Sequence, residues 1–285
     1  MARRKRSQRR GGCAVPFLIL LILFIAGGLF FYWDNNTIAV HEETVYDDAL
    51  PAAFDSLRIV QISDLHGKQF GEGNKLLIEK VAAAQPDLIA ITGDLIDQAA
   101  QYDDLPALMD GLTAIAPTYY VTGNHEWAVR QVKELKSLLT EHGVRVLTDS
   151  YELWQRGDAT LAVAGVDDPN GPADQKTGPE LRSEITADYT ILLAHRDTVE
   201  EYAAWGYDLI FCGHGHGGVF RIPIIDKGLL STDRTLFPKY DGGVYSFAGY
   251  TCVVSRGLGS NTVPIHLFRL FNRPDLPVIT LRCGA

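Results

Sequence analysis

The chain reads as an α/β protein preceded by one transmembrane helix, and three observations carry that reading. Short apolar runs of strand composition alternate with helical segments over most of its length. Polar segments rich in His, Asp and Gly follow directly after five of those strands, where open α/β sheets build their sites. Ahead of all of them stands an uncharged apolar run from Ala14 to Trp33.

The N-terminal segment comes first. Residues 1–10 carry Arg3, Arg4, Lys5, Arg6, Arg9 and Arg10 and no acid. As a helix, the apolar run that follows spans about 30 Å, the thickness of a bilayer core. A cleavable signal peptide has a shorter apolar region, about 7–15 residues, and a small-residue cleavage site. Tyr32 and Trp33 close the run as an interfacial aromatic pair, and Asp34 ends it. The positive-inside rule then keeps residues 1–13 in the cytoplasm, passes 14–33 through the membrane as a signal anchor and leaves 34–285 outside as the folded domain.

About 250 residues suit one large α/β domain. The formal net charge is −9, and setting aside the six N-terminal bases leaves −15 for residues 11–285. So acidic a body lacks the basic footprint of a nucleic-acid binder, and no nucleic-acid partner is expected. It does not exclude an anionic substrate, because bound divalent metals supply local positive charge. Cys212, Cys252 and Cys283, the cysteines beyond the anchor, show no paired spacing and do not read as a disulfide framework. Cys212 lies in an apolar run and reads as a buried thiol.

Along the chain, 37–46 has strand composition and joins the domain directly, so the tether to the membrane is short. A strand over 57–63 leads to a helix over 74–84, with an apolar face of Leu76, Leu77, Ile78 and Val81 and a stop at Pro86. Residues 87–92 (DLIAIT) form a strand buried on both faces. A helix over 105–115, a strand over 118–122 and one long helix over 126–142, ended by Gly143, come next. Strands at 144–147, 152–155 and 160–165 precede a Pro/Gly-rich loop at 167–178. A strand at 189–194, a helix near 198–204 and a strand at 208–212 make a second β-α-β unit. The last clear hairpin pairs 244–247 with 251–255.

Five segments hold the chemistry: Asp64-Leu65-His66, Gly93-Asp94, Gly123-Asn124-His125-Glu126, Ala194-His195 and Gly213-His214-Gly215-His216. They contain five of the chain's eight histidines. Carboxylate, amide oxygen and imidazole are ligands for hard or borderline divalent metals. Each residue alone could serve as a cap or turn, and Asn124 in particular would cap the helix that follows it. Together, at five strand ends, they form one rim.

In this order the segments resemble the calcineurin-like metallophosphoesterase family over about Arg58 to His216. Further stretches resemble its membrane-anchored bacterial branch, related to UDP-2,3-diacylglucosamine pyrophosphatase-like and cell-wall-associated enzymes: Gly217–Pro223, Phe237–Tyr240, Ser255–Gly259 and Phe271–Pro274. The resemblance implies a four-layer α/β/β/α sandwich over 34–285 and two divalent metal ions, Mn²⁺, Fe or Zn²⁺. It implies that Asp64, His66 and His216 hold one ion, Asn124, His195 and His214 the other, and that Asp94 bridges them. It makes His125 a catalyst rather than a ligand, stabilising the phosphoryl group or protonating the leaving oxygen. The implied activity is hydrolysis of phosphodiester, phosphomonoester or pyrophosphate bonds by a hydroxide that two metals activate, on a phosphorylated small molecule or lipid. A UDP-2,3-diacylglucosamine-type pyrophosphatase and a non-catalytic, membrane-tethered metal-binding module are the alternatives. The chain departs from the branch at Gly215, at Arg196-Asp197 where Asn-Pro is common, and at Val219; none of these removes a ligand.

Of the remaining polar residues, Asp97 reads as a turn or supporting acid, and Asp167 and Asp168 as members of a solvated loop. Arg221 and Arg256 read as structural ion-pairing residues, and Lys239 and Tyr240 belong to a stretch that could line the substrate entrance. His142 reads as a helix C-terminal residue favoured by the dipole, and His41 and His266 as ordinary histidines. Cys13, at the membrane edge, is open to acylation.

Overall fold

In the computed structural model the described residues are 14–260 and 269–284. His266 and Cys13 lie outside them. Helix α1 (Ala14–Asn36) leads within two residues into β1 (Ala39–Asp47). Then come β2 (Arg58–Ile62), α2 (Lys75–Ala84), β3 (Leu88–Thr92), α3 (Leu105–Thr113), β4 (Thr118–Val121), α4 (Asn124–Val129), α5 (Val132–Glu141) and β5 (Arg145–Val146). The second half holds β6 (Ser150–Arg156), β7 (Ala159–Gly165), α6 (Gly178–Glu184), β8 (Tyr189–Leu193) and β9 (Leu209–Cys212). It closes with the short pair β10 (Arg221–Ile222) and β11 (Lys227–Gly228), the hairpin β12 (Gly243–Phe247) and β13 (Tyr250–Val254), and β14 (Asp275–Cys283).

Two six-stranded sheets result, in the orders β1-β14-β2-β3-β4-β5 and β12-β13-β9-β8-β7-β6. The inner strands β2, β3 and β4 of the first sheet and β7, β8, β9 and β13 of the second are largely buried on both faces, and the period of two sorts their side chains into separate cores. Ile59, Leu88, Ala90 and Tyr119 of the first sheet meet Leu161, Val163, Ile191, Leu193 and Phe211 of the second in a shared inner layer. The alternate residues Val60, Ile62, Ile89, Ile91 and Tyr120 pack outward against Leu77 and Val81 of α2, Leu108 and Leu112 of α3, and Leu135 and Leu139 of α5. On the far side Ala162, Ala164, Leu192, Ile210 and Cys212 pack against Leu181 of α6 and against Tyr202 and Tyr207. Three cores separate four layers, α/β/β/α, as expected.

Several elements differ from the sequence reading. The single helix expected over 126–142 is two, because Arg130 takes a left-handed φ of 63° and breaks the run between α4 and α5. The helix expected near 198–204 is one 3₁₀ turn, Glu201–Ala204. Helix α6 lies partly inside the segment read as loop; Thr177 caps it by accepting from the Glu180 amide at 3.4 Å, and Glu180 returns a bond to Thr177. The largest addition is β14, which lies between β1 and β2, parallel to the first and antiparallel to the second. Pro277 argues against a strand there. It is tolerated because it is registered only with His41, while the pairing with β2 runs over Val278–Thr280.

Candidate binuclear metal centre

The C-terminal ends of β2, β3, β4, β8 and β9 bring all five polar segments to one rim between the two sheets. Gln61 ties that rim together: its Nε2 donates to Thr92 Oγ1 at 2.9 Å on β3 and to the Cys212 carbonyl at 2.8 Å on β9. Turning sharply off a strand end demands unusual backbone. Asp64, His66, Asp94, His214 and His216 all have φ between 49° and 69°, the left-handed region that non-glycine residues rarely enter. Two glycines allow close approach. A Cβ on Gly123 would lie 2.2 Å from Asp94 Oδ1, and one on Gly213 would lie 2.4 Å from Asp64 Oδ2.

The side chains converge as two clusters. In one, His66 Nε2 and His216 Nε2 are 3.0 Å apart, and His216 Nε2 is 3.3 Å from Asp64 Oδ1. In the other, His195 Nε2 is 3.1 Å from Asn124 Oδ1 and 3.2 Å from His214 Nδ1. Asp94 stands between them, its Oδ2 3.8 Å from His66 Nε2 and 3.3 Å from His195 Nε2. Every one of these residues except Asn124 is buried. All seven residues predicted as ligands are therefore brought together.

The donor chemistry fits cations. His195 Nδ1 donates to the Thr92 carbonyl at 2.8 Å, which leaves a neutral ring's Nε2 as a lone pair. That lone pair faces an amide oxygen and a carboxylate oxygen, so acceptor meets acceptor. His66 repeats the pattern: Nδ1 lies 2.6 Å from Asp97 Oδ1, and Nε2 points at His216 Nε2. A positive species belongs between such groups. Burial opposes a charged His195, yet Asp94 overrides it and raises the imidazole to about 10. Burial likewise opposes a charged Asp94, but the facing His195, with His66 and His125, holds its carboxyl well below the usual range. His216 is pushed down to about 4, chiefly by burial.

His125 stands at the mouth, with 23% of its side chain exposed. Its Nδ1 is 2.8 Å from Asp97 Oδ1 and its Nε2 3.9 Å from Asp94 Oδ2. Burial works against its cation, but the Asp97 hydrogen bond prevails and raises its pKa. Asp97 thus supports two histidines at once, the supporting role that was one of the two read for it.

Other supporting residues were less visible. Glu126, wholly buried, accepts from three amides that shape the rim: Asp94 at 3.0 Å, Leu95 at 2.6 Å and Gly123 at 2.7 Å. Its carboxyl is raised to about 7 by burial and by the Asp94 charge. Its place in the Gly-Asn-His-Glu segment was the available signal. Asp167 and Asp168 are buried rather than solvated. Asp167 pairs with Lys136 at 2.5 Å, and Asp168 holds the Arg196 guanidinium at 2.6 Å. Arg196 Nη1 reaches within 3.1 Å of His214 Nε2, and Asp233 Oδ1 lies 3.4 Å from the same nitrogen. Ligation through His214 Nδ1 would put the ring's proton on Nε2, where Asp233, rather than the donor Arg196, would accept it.

The residues read as structural are so placed. Arg221 binds Asp226 at 3.0 Å and the carbonyls of Gly217 and Asp241, and Arg256 pairs with Asp275 at 3.2 Å. Asn124 does not cap a helix: Gly123 holds that position, and the Asn124 amide faces His195. Lys239 and Tyr240 both bind Glu200. His142 ends α5 and pairs with Asp110 at 2.7 Å. Cys212 is buried, as read, with its Sγ 3.6 Å from that of Cys252.

A family model for calcineurin-like phosphoesterases matches residues 57–218, the span that holds every rim residue named above up to His216. A Bacillus subtilis (strain 168) protein described as the uncharacterized metallophosphoesterase YkuE is 28% identical over 254 residues, covering 86% of either chain. Phosphodiesterase YaeI of Escherichia coli (strain K12) is 25% identical over 242 residues, 82% of this chain and 84% of its own. A Bos taurus transmembrane protein with metallophosphoesterase domain is 30% identical over 255 residues, covering 82% of this chain but 55% of that longer one. With five strand ends converging on two acceptor-rich clusters and more than half of its length matched, the chain belongs to the calcineurin-like phosphoesterases and is a metal-dependent hydrolase of phosphoesters.

Proposed function

We propose that the protein is a membrane-anchored, two-metal phosphodiesterase that works at the extracytoplasmic face of a membrane. Asp64, His66 and His216 would hold one ion, Asn124, His195 and His214 the other, and Asp94 stands where it could serve both. Divalent ions so held supply Lewis acidity and lower the pKa of water, the chemistry that attack on a phosphoester needs. His125, its pKa raised by Asp97 at the rim's mouth, donates a proton from Nε2 to the leaving oxygen. Arg196, fixed by buried Asp168, adds a cation beside the second cluster. A cavity of about 320 Å³ borders that cluster at His195 and Arg196, with Pro169, Tyr202 and Trp205 in its wall, and offers room for part of the substrate.

The observation that carries the reading is the convergence of His195 Nε2 with Asn124 Oδ1 at 3.1 Å and Asp94 Oδ2 at 3.3 Å, three ligand atoms aimed at one point. The relative named as a phosphodiesterase favours a diester. The 22-residue helix span Val15–Asn36 is long and apolar enough to cross a membrane, and the relative named as a transmembrane protein accords with anchoring. The basic residues 3–10 favour a cytoplasmic N-terminus with 34–285 outside. The branch resemblance adds the bacterial, membrane-anchored setting.

The test is turnover by the full chain in detergent, loaded with Mn²⁺ or Zn²⁺, of an aryl phosphodiester against an aryl phosphomonoester. The diester is cleaved faster, and Asp94→Ala abolishes turnover; undiminished turnover in that variant overturns the mechanism. Protease digestion of residues 34–285 in intact cells tests orientation, and full protection refutes external placement.

A further inference from the structure

We propose that the loop over residues 220–237, together with Phe271, is a lipid-contacting platform. It lies in the headgroup–acyl boundary beside α1 and sets the metal-binding rim at the bilayer surface. The proposal rests on the reading of α1 as a membrane span.

The platform is apolar where solvent would otherwise meet it. Ile224 is 94% exposed, Leu236 66%, Ile225 58%, Phe237 54% and Phe271 46%. They come as two short tips, Pro223-Ile224-Ile225 and Leu236-Phe237-Pro238, with no charge inside either. Other exposed apolar residues of the domain, such as Leu76 and Leu153, stand in separate elements, which is ordinary for a protein surface. A grouped set marks a contact site.

Backbone pairing connects the tips to the anchor. The Phe237 amide donates to the Leu229 carbonyl at 3.0 Å, and the Leu229 amide to Phe220 at 2.7 Å. Phe220 bridges to Leu270, and the ring of the next residue, Phe271, lies 5.3 Å from that of Phe30 in α1. Three such pairings at about 4.8 Å each place Phe237 roughly 15 Å from Leu270, the neighbour of Phe271.

The anchor is docked on the domain rather than loosely tethered to it. Asn35 Nδ2 donates to the Arg269 carbonyl at 2.9 Å and Asn35 Oδ1 accepts from the Arg269 amide at 2.8 Å, while Lys68 binds the Asn35 carbonyl. Asp34 is buried beside the Asn272 amide. Asn272 Nδ2 in turn donates to the His216 carbonyl at 2.8 Å, so the end of α1 and a rim residue share one partner. The Arg273 guanidinium covers the Trp33 ring at 4.6 Å, an amphipathic pair suited to the membrane–water boundary. A helix held this way fixes which face of the domain meets the membrane, and the proposal puts the apolar tips on that face.

The same loop touches the site. Thr232 Oγ1 donates to the His214 carbonyl at 2.9 Å, Asp233 faces His214 Nε2, and the Leu230 amide donates to Gly218 at 3.2 Å. Lipid contact at 224 and 237 therefore holds the rim next to the headgroups. The substrate class this favours is a phosphoester borne on a membrane lipid, taken without leaving the bilayer.

The test uses the full chain with Cys13→Ser and Cys283→Ser, carrying a nitroxide at Ile224→Cys, Phe237→Cys, Phe24→Cys or Leu153→Cys, in phosphatidylcholine–phosphatidylglycerol vesicles. Spin relaxation is compared for oxygen and for a water-soluble nickel chelate. Labels at 24, 224 and 237 relax mainly with oxygen, and the label at 153 mainly with nickel. Nickel-dominated relaxation at 224 and 237 with oxygen-dominated relaxation at 24 overturns the platform and leaves the span standing. Nickel at 24 overturns both. Labels at 224 and 237 shielded from both agents would place protein there, such as a second copy of the chain, and would also overturn the proposal. In a second arm, the triple variant Ile224→Glu, Leu236→Glu, Phe237→Glu lowers turnover of a vesicle-borne phosphatidyl diester at least about tenfold. It leaves turnover of a soluble aryl diester unchanged; equal loss on both substrates contradicts the platform.

Discussion

Five of the proposed ligands sit in left-handed backbone, a conformation costing on the order of 1 kcal/mol or more for a side chain with a Cβ. The surrounding glycines and the carboxylate of Glu126 hold that strain in place. The rim residues were legible in the sequence because each ligand sits within four residues of a strand end. Asp233 and Asp168 were not, because each acts through a partner 19 or 28 residues away along the chain. Two outcomes belong here. His125→Ala lowers kcat by about 10²–10⁴-fold, with metal content by elemental analysis unchanged. Asp233→Asn weakens binding of one ion by about 10–100-fold in a metal titration and leaves the other ion's affinity near that of the parent.

At the scale of elements, the turn after β3 and the start of α4 are held as one unit by a single carboxylate. Glu126→Ala leaves three buried amides without their acceptor, each a loss of about 1–3 kcal/mol before relaxation. The metal-free protein should therefore lose on the order of 3 kcal/mol or more of stability, read as a lowered urea midpoint with an unchanged slope. Short apolar runs alternating with helical segments made β2, β3, β4, β8 and β9 readable. The strand β14 was hidden by Pro277, whose tolerance depends on a register that no local pattern reveals. The break between α4 and α5 was hidden as well, because the apolar spacing of 126–142 continues across it while Arg130 turns left-handed.

Across the whole molecule, β14 closes the first sheet, and Asp275 at its start clasps three regions. Its carboxylate binds His41 of β1 and the Arg256 guanidinium, and it accepts from the Arg256 amide at 3.1 Å. Burial raises the cost of its charge, but His41 and Arg256 prevail and lower its pKa to about 2. A depressed carboxylate stabilises the fold above its unfolded value near 4, and that contribution is lost as pH falls towards about 2. Thermal unfolding of the parent should therefore lose on the order of 2 kcal/mol through this group across that window, a loss absent in Asp275→Asn. The short link between α1 and β1 was legible from the strand composition of 37–46. The docking of the anchor on Arg269 and Asn272 was not, since it joins residues more than 230 positions apart.

The central claim is that one carboxylate unites two ligand sets around two ions. An anomalous-difference map from crystals of the Mn²⁺-loaded protein tests it most directly. The account predicts two peaks about 3.5–4 Å apart, one among Asp64, His66 and His216, the other among Asn124, His195 and His214, with the Asp94 carboxylate between them. A single peak, or peaks away from Asp94, would contradict it.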